Sequence, residues 1–231
     1  MDNITTELYN ELLKDKSEIY RYLGYSLGHE TGPVSELNPI TDEVLGQLCS
    51  RSTPHSTSKC LLLETDGSRC IFRLLENSSA EPLVIASKAL SHHLSGCREA
   101  LFFSATIGPG VDMLIRRYSE ISMIKLALVQ AAGAALIEAY ADRAVEELKK
   151  TYPYLKPRFS PGYGDFSLSH QTDFFRILRL GETLGLSLND AYLMTPSKSI
   201  TAVIGISDSE DSCAASKCAV CQNTACEFRH V

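Results

Sequence analysis

The chain contains no tryptophan, and aromatic residues occupy only 8% of its 231 positions. It has no excess of positive charge. Lys and Arg number 22 against 28 Asp and Glu, a net charge of −6. That balance removes the electrostatic case for a nucleic-acid or anionic-membrane partner. The opening Met1-Asp-Asn-Ile-Thr-Thr-Glu7 lacks the basic and apolar blocks of a secretion signal. The longest apolar stretch, Leu126 to Ile137, is bounded by Lys125 and Glu138. It falls short of the ~20 residues a membrane span needs. There is no internal repeat, no Gly-x-Ser-x-Gly elbow, and no complete phosphate or dinucleotide loop around Gly108-Pro-Gly110. No residue is therefore assigned a catalytic role. A cytoplasmic protein is expected, and eight cysteines without a secretion signal point to thiols or metal rather than disulfides.

What is present reads as an α+β chain. Helical spacing of Leu8, Leu12, Leu13 and Ile19 predicts a helix from Ile4 to about Gly28, and Ile40 to Leu48 a second, with Thr41 as N-cap. Arg51 to Ser58 reads as a polar loop. Lys59–Glu64, a turn at Asp66-Gly67 and Cys70–Leu75 read as a hairpin, with Leu83–Ile85 as a third strand. Ser87 suits the N-cap of a helix through Leu94. Leu101–Thr106 reads as a buried strand that turns at Gly108-Pro-Gly110 into a helix from Val111 to Tyr118.

Glu120 to Lys150 is expected to form one dominant helix, ~45 Å long if unbroken. Its Ala131-Ala-Gly-Ala-Ala135 patch reads as a close-packing surface. Ser169 or Thr172 is the expected cap of a helix to Thr183 that turns Phe174, Ile177, Leu178 and Gly181 inward. Leu188–Met194 reads as a helical turn, and Lys198–Ile206 as a β-branched strand. The expected organisation is a helical segment at 1–50, an α+β core at 51–207, and a Cys-rich tail at 208–231. Within the core, a twisted, mainly antiparallel sheet accompanies the long central helix.

One stretch concentrates chemistry. Arg158-Phe-Ser-Pro-Gly-Tyr163 follows Pro157 and precedes Gly164-Asp165. Prolines on either side restrict the backbone around a permanent cation, and Gly162 permits a positive φ. A guanidinium so held suits a carboxylate, and Tyr163 offers a flat face to a ring or a cation. Of the neighbouring histidines, His92-His93 read as surface or interface positions. His170 reads either as a pocket residue or as an ordinary residue at a helix start.

The order Arg-x-x-Pro-Gly-Tyr, with an alanine-rich helix before it and Pro196-Ser-Lys-Ser-Ile-Thr-Ala202 after it, resembles the activation (reactivation) domain of cobalamin-dependent methionine synthase. The likeness runs from about Leu101 to Gly205, and more faintly back to Tyr22-Leu-Gly-Tyr25. It implies that domain's α+β fold and a site for S-adenosylmethionine. By resemblance, Arg158 holds the methionyl carboxylate, the backbone at Ser160 bonds the ligand, and Tyr163 lines the site, with Pro161 and Gly162 shaping the turn. Three family features have no counterpart here: an Asp-Trp region in the N-terminal part, an acidic residue shortly before the Arg, and a tyrosine after the last strand.

The tail carries a separate signal. Cys213, Cys218, Cys221 and Cys226 follow the spacing Cys-x4-Cys-x2-Cys-x4-Cys among Ser, Asp, Ala and Asn. Cys-x2-Cys lets two thiolates meet one ion, and the flanking pair completes a site for zinc or an iron–sulfur cluster. The other reading is a tail of reduced thiols.

Two functions are expected from these features. One is a stand-alone reactivation component that binds S-adenosylmethionine for reductive methylation of cob(II)alamin. Its partner would be a methionine synthase or other corrinoid protein, with a flavodoxin-like electron donor. The other is a metal- or iron–sulfur-binding redox or scaffold protein for a corrinoid methyltransferase, built on the same fold.

Overall fold

The computed structural model describes residues 3–25, 33–75 and 81–209. In chain order the elements are α1 (Asn3–Lys14), α2 (Ser17–Tyr22), α3 (Pro33–Arg51), β1 (His55–Thr65), β2 (Cys70–Leu74), β3 (Leu83–Ile85), α4 (Lys88–His93), β4 (Glu99–Thr106), α5 (Gly110–Ile121), α6 (Met123–Leu148), α7 (Gln171–Leu178), α8 (Leu180–Thr183), β5 (Ser187–Leu188), β6 (Met194–Thr195) and β7 (Ser199–Ile206). A 3-10 turn, Leu168–His170, leads into α7. The chain divides into two compact units. One takes residues up to Thr57, 104–146 and 179–200; the other takes 58–103, 147–178 and the described residues from 201.

In the first unit α1 packs on α3 and α3 on α5. Leu8, Leu12, Ile19, Val44, Leu45 and Leu48 are buried. The α6 helix buries Leu128, Val129, Ala131, Ala132, Ala135 and Leu136. Its small-residue patch is a packing surface. A Cβ on Gly133 would stand 3.1 Å from Val111 Cγ1 and 3.2 Å from Lys198 Cε. Among the described residues, α6 is the one helix long and apolar enough to cross a membrane, and half of its most apolar window is buried.

The second unit holds most of the five-stranded sheet, in the order β3-β2-β1-β4-β7. The β1/β2 and β2/β3 pairs are antiparallel, with Leu63 opposite Phe72 and Cys70 opposite Ile85. Alternation buries Leu61, Leu63, Cys70 and Phe72 on one face. Phe102 from β4 meets Phe72 edge-on at 5.0 Å and the Phe174 ring of α7 at 4.7 Å. The α+β class and the mainly antiparallel sheet are as expected.

Several expected boundaries move, each for a local reason. The first helix breaks at Asp15, whose carboxylate accepts from Ser17 N at 2.9 Å and opens α2. Residues 26–28 of that expected helix lie outside the described residues. The second helix begins at Pro33 and runs through Pro39, so Thr41 lies inside it and donates to Leu37 O instead of capping. Strand β1 starts at His55, within the expected loop. The boundary between the helix after Gly108-Pro-Gly110 and the long helix moves from Ser119 to Ser122, which ends α5 in an extended conformation and whose Oγ accepts from Lys125 N at 3.3 Å to open α6; α6 stops at Leu148. Ser167, not Ser169 or Thr172, caps the segment before α7. Arg179, at φ 53°, divides α7 from α8. Phe174 and Leu178 are buried, Ile177 is half-buried, and Gly181 is exposed.

Residues 188–194 form no helical turn. Asn189 Oδ1 accepts from Ala191 N and Leu193 N, closing a loop that lets β5 pair antiparallel with β6.

Candidate functional site

The segment Leu155–Phe159 runs antiparallel along β7, as an extension of the sheet. Leu155 bridges Ile206 and Phe159 bridges Val203. Lys156 N donates to Gly205 O at 2.8 Å, and Phe159 and Val203 exchange both backbone bonds at 2.8 and 2.9 Å. Pro157 has no N–H to give, and the Gly205 carbonyl opposite it takes Lys156 N instead. The pairing places Arg158 on rigid backbone two residues before the turn. Its side chain is only 6% exposed. A cation at that depth is stable only among compensating groups.

The turn follows at once. Tyr163 N donates to Ser160 O at 3.1 Å, which makes Ser160-Pro-Gly-Tyr163 a four-residue turn with Pro161 second and Gly162 third. Gly162 has φ +99°, the value a type II turn requires at that place. Gly162 N and Phe166 N then bond Phe166 O and Tyr163 O, closing the loop on itself. Phe166 is buried and stacks on Phe159 at 6.3 Å. Tyr163 meets Phe159 edge-on at 5.8 Å and is 51% exposed, so much of its ring faces solvent. The five expected site residues, Arg158, Ser160, Pro161, Gly162 and Tyr163, thus share one strand end and one turn. The arrangement offers a buried cation, a stiff backbone and an open aromatic face within six residues.

Beside this loop lies α4, whose importance is not evident from sequence. Ser87 caps it as expected, accepting from Leu90 N at 3.0 Å. Asp165 joins that cap, and its carboxylate accepts from Ser87 Oγ at 2.5 Å, Lys88 N at 2.8 Å and Ala89 N at 3.1 Å. The Ser87 hydroxyl first, with the two amides, holds the Asp165 carboxyl below its ordinary range. Lys156, 8% exposed, donates to His93 O at 3.0 Å and Ser95 O at 2.7 Å. His93, expected at the surface or an interface, is partly covered. Its ring is half-buried against Phe159 at 4.9 Å, and its Nε2 lies 2.8 Å from Pro157 O. Burial, above all, pulls its pKa below the ordinary 6.5. His92, its neighbour, is exposed. The only sequence signal for these partners was the run of polar residues around an N-cap, and the contacts span 61 to 78 residues of chain.

His170 bonds the Asp173 carboxylate through Nδ1 at 2.8 Å and rests on Phe166. Gly108 and Gly110 are packing glycines. A Cβ on the first would stand 2.1 Å from Thr53 Oγ1, and one on the second 2.1 Å from Arg51 O. In the same unit the half-buried Lys198 has its pKa lowered by burial, with Asp112 opposing the shift. Cys213, Cys218, Cys221 and Cys226 lie outside the described residues. No metal-type cluster of His, Cys, Asp or Glu occurs among the described residues.

The architecture is that of a known α+β domain. A crystal structure of the MetH reactivation domain bound to AdoHcy superposes with a TM-score of 0.67, covering 86% of this chain and 77% of that one at 16% identity. At that identity the likeness establishes the fold. No protein-family model and no curated protein sequence matches the chain.

Proposed function

We propose that the chain binds S-adenosylmethionine on the Arg158–Tyr163 turn and serves as a reactivation component for a cobalamin-dependent methionine synthase. The observation that carries this reading is the buried Arg158, set on a β7-paired strand two residues before a proline–glycine turn. It occurs in a fold shared with a domain crystallised with AdoHcy. S-adenosylmethionine supplies a sulfonium methyl group. Cob(II)alamin on a partner protein is the substrate, and a flavodoxin-like donor supplies one electron.

The work of this chain is positioning. Arg158 grips the amino-acid carboxylate. The Ser160 backbone, made rigid by Pro161 and Gly162, bonds the ligand. Tyr163 lays its exposed face near the sulfonium or the adenine. No general base is required of the protein, because the methyl acceptor is the partner's cobalt. The setting is a reducing, cytoplasmic one.

Calorimetric titration with S-adenosylmethionine tests this. Wild type binds, and Arg158→Ala weakens binding by ~2–3 kcal/mol, the scale of a charge-assisted bond lost from a buried site. No heat with wild type, with or without the corrinoid partner, sinks the reading.

The Cys-x4-Cys-x2-Cys-x4-Cys tail favours a second activity, that of a metal- or cluster-binding redox or scaffold component. We assign Cys213, Cys218, Cys221 and Cys226 as ligands of one zinc ion or one iron–sulfur cluster. Metal analysis and a visible spectrum of anaerobically purified full-length chain decide it. A colourless, metal-free protein refutes the assignment.

A further inference from the structure

The loop that carries Arg158 is fastened to α4 at both of its ends. At one end the Asp165 carboxylate takes three hydrogen bonds from Ser87, Lys88 and Ala89, at the start of the helix. At the other, Lys156 Nζ donates to the carbonyls of His93 and Ser95, at its finish. An anion at the N-terminus and a cation at the C-terminus each match the helix dipole. Close packing confirms the seating, since a Cβ on Gly164 would lie 2.9 Å from Ala89 Cβ.

Within this frame one contact touches the Arg158 backbone itself. Pro157 O belongs to the peptide group whose nitrogen is that of Arg158, and it lies 2.8 Å from His93 Nε2. A carbonyl only accepts, so His93 Nε2 carries the proton and donates it. The orientation of that peptide plane sets the direction in which the Arg158 side chain leaves the strand.

We propose that His93 is a positioning residue for Arg158: by donating Nε2–H to the Pro157 carbonyl, it fixes the peptide from which the guanidinium is aimed. The inference rests on the reading that the Arg158 turn binds S-adenosylmethionine. It adds a residue to that site that touches no ligand. The Phe159 ring, against which the imidazole packs at 4.9 Å, holds the donor in line.

Two variants of the full chain separate the donor from the ring. His93→Phe keeps an aromatic surface against Phe159 and loses the N–H. His93→Gln keeps an amide N–H that reaches the same carbonyl and loses the ring. In S-adenosylmethionine titrations, His93→Phe is expected to raise Kd by roughly tenfold, as a misaimed charge-assisted bond does, and His93→Gln by less than about threefold. In an Arg158→Ala background, His93→Phe is expected to change Kd by less than about twofold, because the group it aims is gone.

A ligand-free readout accompanies these. Modification of Arg158 by phenylglyoxal, followed on its peptide by mass spectrometry, is expected to accelerate about fivefold or more in His93→Phe and to stay near wild type in His93→Gln. Equal Kd for wild type and His93→Phe overturns the proposal. So do equal losses in the Phe and Gln variants, or an undiminished effect of His93→Phe without Arg158. If wild type itself gives no heat, the S-adenosylmethionine reading fails. The labelling rates then judge the aiming of Arg158 alone, and unchanged rates overturn it.

Discussion

Replacing Gly110 by Ala tests whether the Gly108-Pro-Gly110 turn exists for packing. Gly110 opens α5, and its φ is not in the left-handed region, so alanine meets no backbone penalty there. The cost is steric alone. The new Cβ would stand 2.1 Å from Arg51 O and 2.8 Å from Arg51 C, both backbone atoms at the end of α3. Ordinary contacts begin more than 3 Å away, so the end of α3 must retreat by about 1 Å. That seam also carries the Thr53 N to Ile107 O bond of 2.9 Å. Overpacking costs ~1–3 kcal/mol and a strained hydrogen bond up to ~1 more, giving ~1–4 kcal/mol. For a chain of this size that lowers Tm by roughly 2–16 °C. Gly46→Ala is the matched control. Its Cβ would meet only Tyr9 Oη, at 3.7 Å, and alanine inside α3 is expected to stabilise by ~0.5–1 kcal/mol. Differential scanning calorimetry or urea unfolding reads both. A Gly110→Ala protein within ~0.5 kcal/mol of wild type refutes the packing account and reopens a ligand role for the turn.

Other outcomes follow from the titrating groups. His93 is held below 6.5 in the folded chain, so the unfolded state takes up a proton first as pH falls through that value. Stability present above pH 6.5 therefore declines below it, and His93→Gln flattens that part of a stability–pH profile. The depressed Asp165 carboxyl adds a second loss at lower pH, below its ordinary 3.8, which Asp165→Asn removes together with part of the loop's anchorage. Cys70 is fully buried and its thiol is pushed up to about 12, chiefly by burial. Thiol reagents at pH 8 are expected to leave its peptide unlabelled in native protein and to label it after denaturation, and rapid native labelling refutes its burial.

Much of the candidate site was legible because its signals are local. Pro161-Gly162 demands a type II turn, and Gly162 adopts φ +99° accordingly. Pro157 excludes a helix, and the chain takes an extended path there. Ser87 caps its helix as its position suggested. What escaped notice had no local mark. Nothing in Ile121-Ser-Met123 announces a break, because a serine cap carries neither glycine nor proline, so the boundary between α5 and α6 is expected at Ser119 and falls at Ser122 instead. Residues 188–194 read as a turn of helix because strands of two residues show no alternation.

The residue pattern by itself determined the α+β class, the paired strands about Asp66-Gly67, the turn after Arg158, and the cysteine spacing of the tail. Each follows from backbone restriction, periodicity or thiol geometry within a few neighbouring positions. Only the tertiary structure decided that Arg158 is buried along β7, that Lys156 and Asp165 clamp its loop to the two ends of α4, and that His93 faces the Pro157 carbonyl. Those facts depend on groups far apart in the chain being brought within 3 Å, where hydrogen bonding and burial act regardless of sequence distance.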